Sequence, residues 1–197
     1  MHRPWIIAGL AVLICCAAAH AADTPSRFVA DTAAEALGIW RDEAASLALR
    51  RQRARALIER RFDVPKIADE VLGPAARSAS VRERFAFAAA LVDDLVATYM
   101  RRRDDRAPPG FQVIEERLEN RRTAVVSSWG WRAEDGATVV IDWRLSSGAA
   151  GWRVADLIIA GISAVQTKRG EVARLLAEHG GDLAAVTQTL RAHAAAE

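Results

Sequence analysis

VVIDWRLSSGAAGWRVADLIIAGISAVQTKRGEVARLLAEHGGDLAAVTQT, residues Val139 to Thr189, decides the fold. Val139–Leu145 and Gly151–Ile159 are short, bulky and β-branched, as strands are. Ser146-Ser147-Gly148-Ala149-Ala150 between them is turn chemistry, so Val139–Ile159 reads as a β-hairpin. Side chains alternate along a strand, which puts Val139, Ile141, Trp143 and Leu145 on one face. On the second strand Trp152, Val154 and Ile158 share a face, with Asp156 interrupting. After Gly161 the period becomes helical: Ile162, Val165, Val172, Leu175 and Leu176 form one apolar stripe, and Gly180-Gly181 stops it. A last helix is expected over Leu183–His193. A hairpin followed by amphipathic helices is half a core, and the upstream chain must complete it.

Composition bounds the rest. The chain has 197 residues, 51% of them hydrophobic, and a formal charge of +2. That length predicts a single domain, and that charge argues against a dedicated nucleic-acid binder. At the N-terminus, Met1-His2-Arg3-Pro4 is a positive lead, Trp5–Ala19 is apolar, and Ala19-His20-Ala21 fits a small-residue cleavage rule. Residues 1–21 therefore read as a signal peptide and 22–197 as the mature domain, with the periplasm as destination. The apolar run is short for a membrane span, and Ile14 and Cys15 spoil a lipoprotein signal at Cys16. Both cysteines fall inside this segment, so the mature chain is expected to have no disulfide and to rely on its core.

Upstream of the hairpin the pattern is helical over about residues 28–103. Phe28–Leu37 is one helix, with a turn or a new start at Ile39-Trp40. Asp42–Arg61 is a long Ala/Leu/Arg helix. Its arginines (Arg50, Arg51, Arg53, Arg55, Arg60, Arg61) read either as a solvated face or as a surface for anionic lipid headgroups or a docking partner. Pro65 opens Lys66–Leu72, which Gly73-Pro74 ends. Ser80-Val81-Arg82-Glu83 is a capping box opening a helix to Met100. Phe85, Ala88, Val92, Leu95, Val96 and Tyr99 give that helix a broad apolar face, with Asp93 and Asp94 read as its polar side. The charged, Pro-rich Arg101–Gly110 is the crossover to a sheet. Phe111–Leu118 and Thr123–Arg132 are strands joined at Asn120-Arg121-Arg122, and Val125, Ser127, Trp129 and Trp131 share a face of the second. Asp135-Gly136 turns into the hairpin. The expectation is an α+β fold: a four-stranded antiparallel meander over about residues 111–159, helices before it, and two more over about 162–193.

Trp152-Arg153-Val154-Ala155-Asp156, Gly161-Ile162-Ser163, Val165-Gln166-Thr167-Lys168-Arg169, Leu175-Leu176 and Gly180-Gly181 together resemble the MlaC (toluene-tolerance) family. Phe62-Asp63, Val71-Leu72-Gly73, Phe85, Phe87, Leu91 and Tyr99 extend the resemblance upstream. Ala75-Ala76, Ala155 and Ala160 depart from it, the first two where an aromatic residue is common and the last where an acid is. The resemblance implies a periplasmic carrier that shuttles phospholipid between the membranes. Its partners would be an inner-membrane ABC lipid transporter complex and an outer-membrane lipoprotein–porin complex. A hopanoid-associated sister branch is similar in the final segment.

Catalytic chemistry is sparse in the sequence. His179 and His193 have no acid or cysteine at ligand spacing. Asp142 is expected to pair across strands with Arg144 or Arg153, and Asp156 to cap or pair at the sheet edge. No enzyme activity, metal or cofactor is expected; bound lipid is the cargo. The tails would lie in an apolar cleft between the layers of a cystatin- or NTF2-like scaffold. That cleft would be lined by Phe85, Val92, Leu95, Tyr99, Val125, Trp129, Trp131, Val139, Ile141, Trp143, Trp152, Val154 and Ile162. The competing class is an enzyme or an interaction module on the same scaffold, since fold alone does not determine function.

Overall fold

The computed structural model describes residues 24–101, 111–131 and 137–195. The expected signal peptide with Cys15 and Cys16, most of the Pro-rich break (Arg102–Gly110) and the Asp135-Gly136 turn lie outside them. The chain begins with α1 (Pro25–Arg41), α2 (Leu47–Arg61), α3 (Val64–Leu72) and, after a 3₁₀ turn at Gly73–Arg77, α4 (Val81–Arg101). The strands β1 (Gln112–Asn120), β2 (Thr123–Trp131), β3 (Thr138–Gly148), β4 (Gly151–Ile159) and β5 (Ile162–Ser163) follow, then α5 (Ala164–Glu178) and α6 (Leu183–Ala195). The sheet is an antiparallel meander of five strands, not four, in the order β1-β2-β3-β4-β5. Among the described residues no helix is long and apolar enough to cross a membrane.

Local chemistry accounts for the helix starts. Thr24 accepts a hydrogen bond from the Arg27 amide ahead of Pro25, and Ser46 accepts one from Leu49. At α4 the capping box closes in both directions: the Ser80 amide donates to Glu83 Oε2 at 2.8 Å, and the Glu83 amide donates to Ser80 Oγ at 3.2 Å. These contacts satisfy amides that have no partner within the helix. The hydrogen bonds from Ser80 also hold the Glu83 carboxyl below its usual range. Helix α1 runs straight through Ile39 and Trp40, where a break was expected, because Ile39 is buried with Ala54, Leu57, Val92 and Val96.

Two features of the last hairpin differ from strict alternation. In β3–β4, Leu145 faces Val154 but Arg144 faces Asp156, so Ala155 is an extra residue. This is a β-bulge, and it reverses the parity of everything after it. The inner face therefore continues from Val154 to Leu157 and Ile159, and Ile158 points the other way. The second difference is β5. Ala160 (φ 51) and Gly161 (φ 82) both adopt positive φ, the geometry of a tight hairpin turn. Ile162 is thus a strand residue paired with Ile159 and 66% exposed, not the first apolar residue of the helix.

The bulge sends the Asp156 side chain out of the back of the sheet, where it is buried. Its Oδ2 accepts a hydrogen bond from the Ser163 hydroxyl at 2.6 Å, and its Oδ1 accepts one from the Val165 amide at 3.1 Å. Ser163 in turn caps Gln166. The carboxylate sits at the positive end of the α5 dipole, so the spacing from Asp156 to Ser163 is a capping device for α5. Asp142 has a different partner from the expected arginines: it accepts from the cross-strand Ser127 hydroxyl at 2.6 Å. Arg153 instead donates to the Glu59 and Phe62 carbonyls at the end of α2.

Helix α5 is tied to α4 by charge. Lys168 lies 2.8 Å from Asp94 and 2.7 Å from Glu171, and Asp94 is buried rather than on a polar helix face. Burial disfavours the Lys168 ammonium, but the hydrogen bonds and charges of Asp94 and Glu171 outweigh it and raise its pKa above 10.5. Asp93 pairs with Arg55.

Two outcomes follow from this geometry. Ala160→Asn supplies a residue that tolerates positive φ in the turn. It should relieve about 1 kcal/mol of strain and raise Tm by roughly 2–4 °C; an unchanged Tm would show that the turn carries no such cost. Lys168→Met leaves the Asp94 charge buried without its cation, and urea unfolding should register a loss of about 3 kcal/mol. Because the folded pKa of Lys168 is raised, its stabilisation is complete below 10.5 and is lost as pH climbs through the folded value. The alkaline limb of a stability–pH curve should therefore be shallower in Lys168→Met than in the parent.

Candidate functional site

The inner face of the sheet is the surface that α1 crosses. Directly opposed residues share a face, so the register places Ala124, Val126, Ser128 and Gly130 of β2 together with Leu145, Trp143, Ile141 and Val139 of β3. On β4 the face continues as Trp152, Val154, Leu157 and Ile159. At one end it is closed: Phe28, Val29 and Ala33 of α1 are buried with Ala124, Val126, Trp143, Leu145 and Val154. At the other end it is incompletely covered. Phe111, Val113, Ile141 and Leu157 pack on that cluster but stay half-buried, as do Val139 and Ile159.

The inner side of β2 explains the difference. Its side chains are Ala, Val, Ser and then none, so they contribute little volume towards the open end. A Cβ at Gly130 would come within 2.3 Å of Ile141 Cδ1 and push that side chain aside. Ile141 leans over the space that Gly130 leaves. Ser128 is fully buried, and its hydroxyl accepts the Trp143 indole N–H at 3.0 Å. Trp143 also meets the Phe111 ring edge-on, with centroids 6.1 Å apart.

This arrangement splits the set of residues expected to line one cleft. Val139, Ile141, Trp143, Trp152 and Val154 do lie on the inner face. Trp143 and Val154 are core there, and Trp152 is half-buried beside them. Val125 and Trp129 belong to the outer face, opposite Arg144 and Val140, and Trp129 is 42% exposed. Of Trp131 only the backbone is described; it pairs with Thr138. Ile162 is exposed on β5. Helix α4 packs mainly against α6, α2 and α3 rather than against the sheet. Val92 is buried between α1, α2 and α4, and Leu95 packs on the separate helical core. Phe85 is 72% exposed. Tyr99 is half-buried and donates to the Ala36 carbonyl at 2.6 Å, and burial pushes its phenol up to about 12.

The residues missed from the sequence are Phe111, Val113, Ser128, Gly130, Leu157 and Ile159. The one signal for the last pair was Asp156 itself, an acid breaking an apolar alternation, as a bulge would. The clue for β2 was its small-residue face, Ala124-x-Val126-x-Ser128-x-Gly130, which suits close approach of a helix or ligand.

Chemically, the open end of the inner face offers apolar surface, and the one carboxylate the register puts on this face, Glu116 opposite Val126, accepts from the Ser26 amide at the start of α1. The buried hydroxyl of the face, Ser128, is committed to Trp143. Among the described residues, no three His, Cys, Asp or Glu side chains gather as a metal site would need. Among the described residues, two small cavities lie away from the open end. One, about 140 Å³, lies between α4 and α6 and includes Ala86, Leu183 and Thr187. The other, about 70 Å³, is lined by Lys66, Glu70, Arg144 and Asp156 among others. Both are smaller than the roughly 300 Å³ of a small-molecule pocket.

Among solved structures, a phospholipid-binding protein from Ralstonia solanacearum, determined in complex with a phospholipid, has the same fold. It superposes with a TM-score of 0.70 at 18% sequence identity, over 86% of this chain and 96% of that one. No curated protein matches the chain. The family model described as "MlaC protein" matches residues 30–192. That span takes in most of α1, the sheet, the Asp156–Ser163 cap and most of α6, and the chain belongs to the MlaC family.

Proposed function

We propose that this protein is a periplasmic carrier that encloses phospholipid tails over the open end of its inner sheet face. It would collect and deliver the lipid at an inner-membrane ABC lipid transporter complex and an outer-membrane lipoprotein–porin complex. The observation that carries the reading is the apolar surface of Val113, Val139, Ile141, Leu157 and Ile159, held half-covered beside the small residues Ser128 and Gly130. Family membership and the phospholipid bound by the Ralstonia protein support it. The N-terminal segment agrees with export by a cleavable signal.

Energetics set the requirement. Each exposed methylene costs about 0.8 kcal/mol, so two tails of ordinary length, with about 30 methylenes, cost on the order of 25 kcal/mol in water. Contact with the headgroup alone cannot offset that, and most of both tails must be covered. Both cavities described are too small for two tails, so the cargo would lie over the half-covered surface around Ile141. A headgroup left at the mouth would be weakly selected. The work needs no general base, nucleophile or metal. A hopanoid is the variant cargo, and it would use the same apolar face.

The test is native mass spectrometry of the exported protein, with lipid extraction, for the parent and Ile141→Glu. The parent should carry a two-tailed phospholipid in stoichiometric amount. Ile141→Glu should lose most of it while still unfolding cooperatively, because Ile141 is only half-buried. Trp143→Ala should behave differently and lose about 3–5 kcal/mol of stability, as a core aromatic does. Full lipid occupancy in Ile141→Glu would place the cargo elsewhere. A parent that stays empty and takes up nothing from labelled liposomes would remove lipid carriage altogether.

A further inference from the structure

Among the described residues, six polar or charged side chains are buried: Thr32, Arg50, Asp94, Ser128, Asp156 and Thr187. Five of them have partners within the fold. Thr32 and Thr187 donate to carbonyls one turn back, those of Phe28 and Leu183. Asp94 pairs with Lys168, Ser128 accepts from Trp143, and Asp156 accepts from Ser163 and Val165. Arg50 is the exception. It is 8% exposed, its Nε is buried without an acceptor, and among the described residues its guanidinium has no hydrogen bond or ion pair. An arginine does not give up its proton in a protein, so neutralisation cannot relieve this burial. A buried charge left without a counter-charge is costly.

The acids that could have answered Arg50 are engaged elsewhere. Asp42, just before α2, accepts from the Ala45 amide and pairs with Arg53 at 2.6 Å. On α2 and the two helices packed on it, α1 and α4, the acids Asp31, Glu35, Glu59, Asp93 and Asp94 each have an arginine or lysine partner. Glu83 alone on these helices has no cation; it accepts from the Ser80 amide and hydroxyl and forms no ion pair with Arg50. Arg50 stands four residues past the Ser46 cap, and side chains in a helix lean toward its N-terminus. The guanidinium therefore leans toward the start of α2, where the first turn holds no acid. Ser46 takes the Leu49 and Arg50 amides and leaves those of Leu47 and Ala48 without an acceptor among the described residues. The positive end of the helix dipole lies there. Arg51 adds a second guanidinium without an ion pair, its Nε also buried.

We propose that Arg50 and the start of α2 form a binding site for a phosphate group, either free phosphate or the phosphate of a lipid headgroup. A guanidinium presents parallel N–H donors that match two oxygens of a carboxylate or of a phosphate. A planar carboxylate lies flat against that fork. A tetrahedral phosphate also sends oxygens out of the plane, towards the Leu47 and Ala48 amides, and helix starts hold phosphate in this way. The bound anion supplies the counter-charge that the fold withholds from Arg50. The site belongs to the helical layer and does not depend on the carrier reading.

The experiment is a titration of the exported protein in phosphate-free buffer, for the parent, Arg50→Met and Arg50→Lys. Inorganic phosphate, glycerol phosphate and the short-chain lipid dihexanoylphosphatidylglycerol are added in turn, with sodium chloride and sodium acetate of equal ionic strength as controls. At about tenfold over its Kd, phosphate should raise the Tm of the parent by roughly 3–6 °C and shift the backbone amide NMR signals of Leu47 and Ala48. Arg50→Met should show neither effect. Arg50→Lys keeps the charge but loses the fork and should bind at least about fivefold more weakly; it carries the test if Arg50→Met does not fold. A response to the lipid assigns the group to a headgroup. A response to the two soluble phosphates without one to the lipid assigns it to free phosphate or a soluble monoester. Chloride or acetate acting as strongly as phosphate overturns the site. So do variants that respond like the parent, which is what general exclusion of phosphate from the protein surface would give. Phosphate binding by a protein that never carries lipid spares this site and refutes the carrier, whereas lipid carriage with no response at Leu47 and Ala48 does the reverse.

Discussion

A carboxylate buried behind a β-bulge holds the two halves of this molecule in register. Asp156 belongs to the sheet, and what it satisfies, the Ser163 hydroxyl and the Val165 amide, belongs to the start of α5. A buried carboxylate without such partners would cost several kcal/mol, so the strand and helix cannot separate cheaply. Helix α5 passes the constraint on: Val165, Val172 and Leu175 are buried with Ile67, Val71, Phe87 and Leu91. Lys168 adds the ionic tie to Asp94 on α4. One aspartate thereby fixes the helical core relative to the strands.

A second junction lies further along the same edge of β4. The Asp63 amide donates to the Val154 carbonyl, and Phe62 forms a short parallel bridge with Val154. The ring of Phe62 packs against both the helical core and the sheet core. Asp63 Oδ2 also accepts from the Ser146 hydroxyl at 2.9 Å. Phe62-Asp63 and the stretch from Trp152 to Ser163 are distant in sequence, and in space they are one joint. Three consecutive residues of β4, Val154, Ala155 and Asp156, are buried, because the bulge presents them to both layers.

Much of the fold was legible because its signals are local. The Ser80–Glu83 capping box, Pro65 at a helix start and the Gly180-Gly181 stop each act within a few residues, and each marks an observed boundary. The site was less legible because it depends on parity and on which helix covers which face. Alternation cannot reveal an inserted residue, so Ile158 was grouped with Trp152 and Val154 where the bulge puts Leu157 and Ile159. On β2 the bulkier set, Val125 and Trp129, looked like the inside. In fact α1 needs the small set, Ala124 to Gly130, to come close. The long amphipathic α4 was expected to face the sheet, yet its apolar sides are used by α2, α3 and α6. An amphipathic pattern tells that a face is buried and is silent about its partner. Many of the α2 arginines have structural duties, pairing with Asp42, Glu35, Glu59 and Asp93, so the cationic surface is smaller than the count of arginines suggested.

A carrier faces a conflict that an enzyme core does not. Its apolar face must be stable when nothing is bound, yet yield to a cargo whose burial is worth far more than any single packing contact. This inner face divides the two demands by position. At the closed end, side chains from α1, β2, β3 and β4 interlock, and the Trp143 indole N–H is satisfied by Ser128, so opening there would break both packing and a buried hydrogen bond. Towards the open end β2 contributes a hydroxyl already in use and then no side chain. Ile141, lying over Gly130, is held by little besides its neighbours' surfaces. Displacing it breaks dispersion contacts and strands no polar group, and lipid tails can replace those contacts in kind. The same sheet can therefore be rigid where Trp143 anchors it and compliant two residues away.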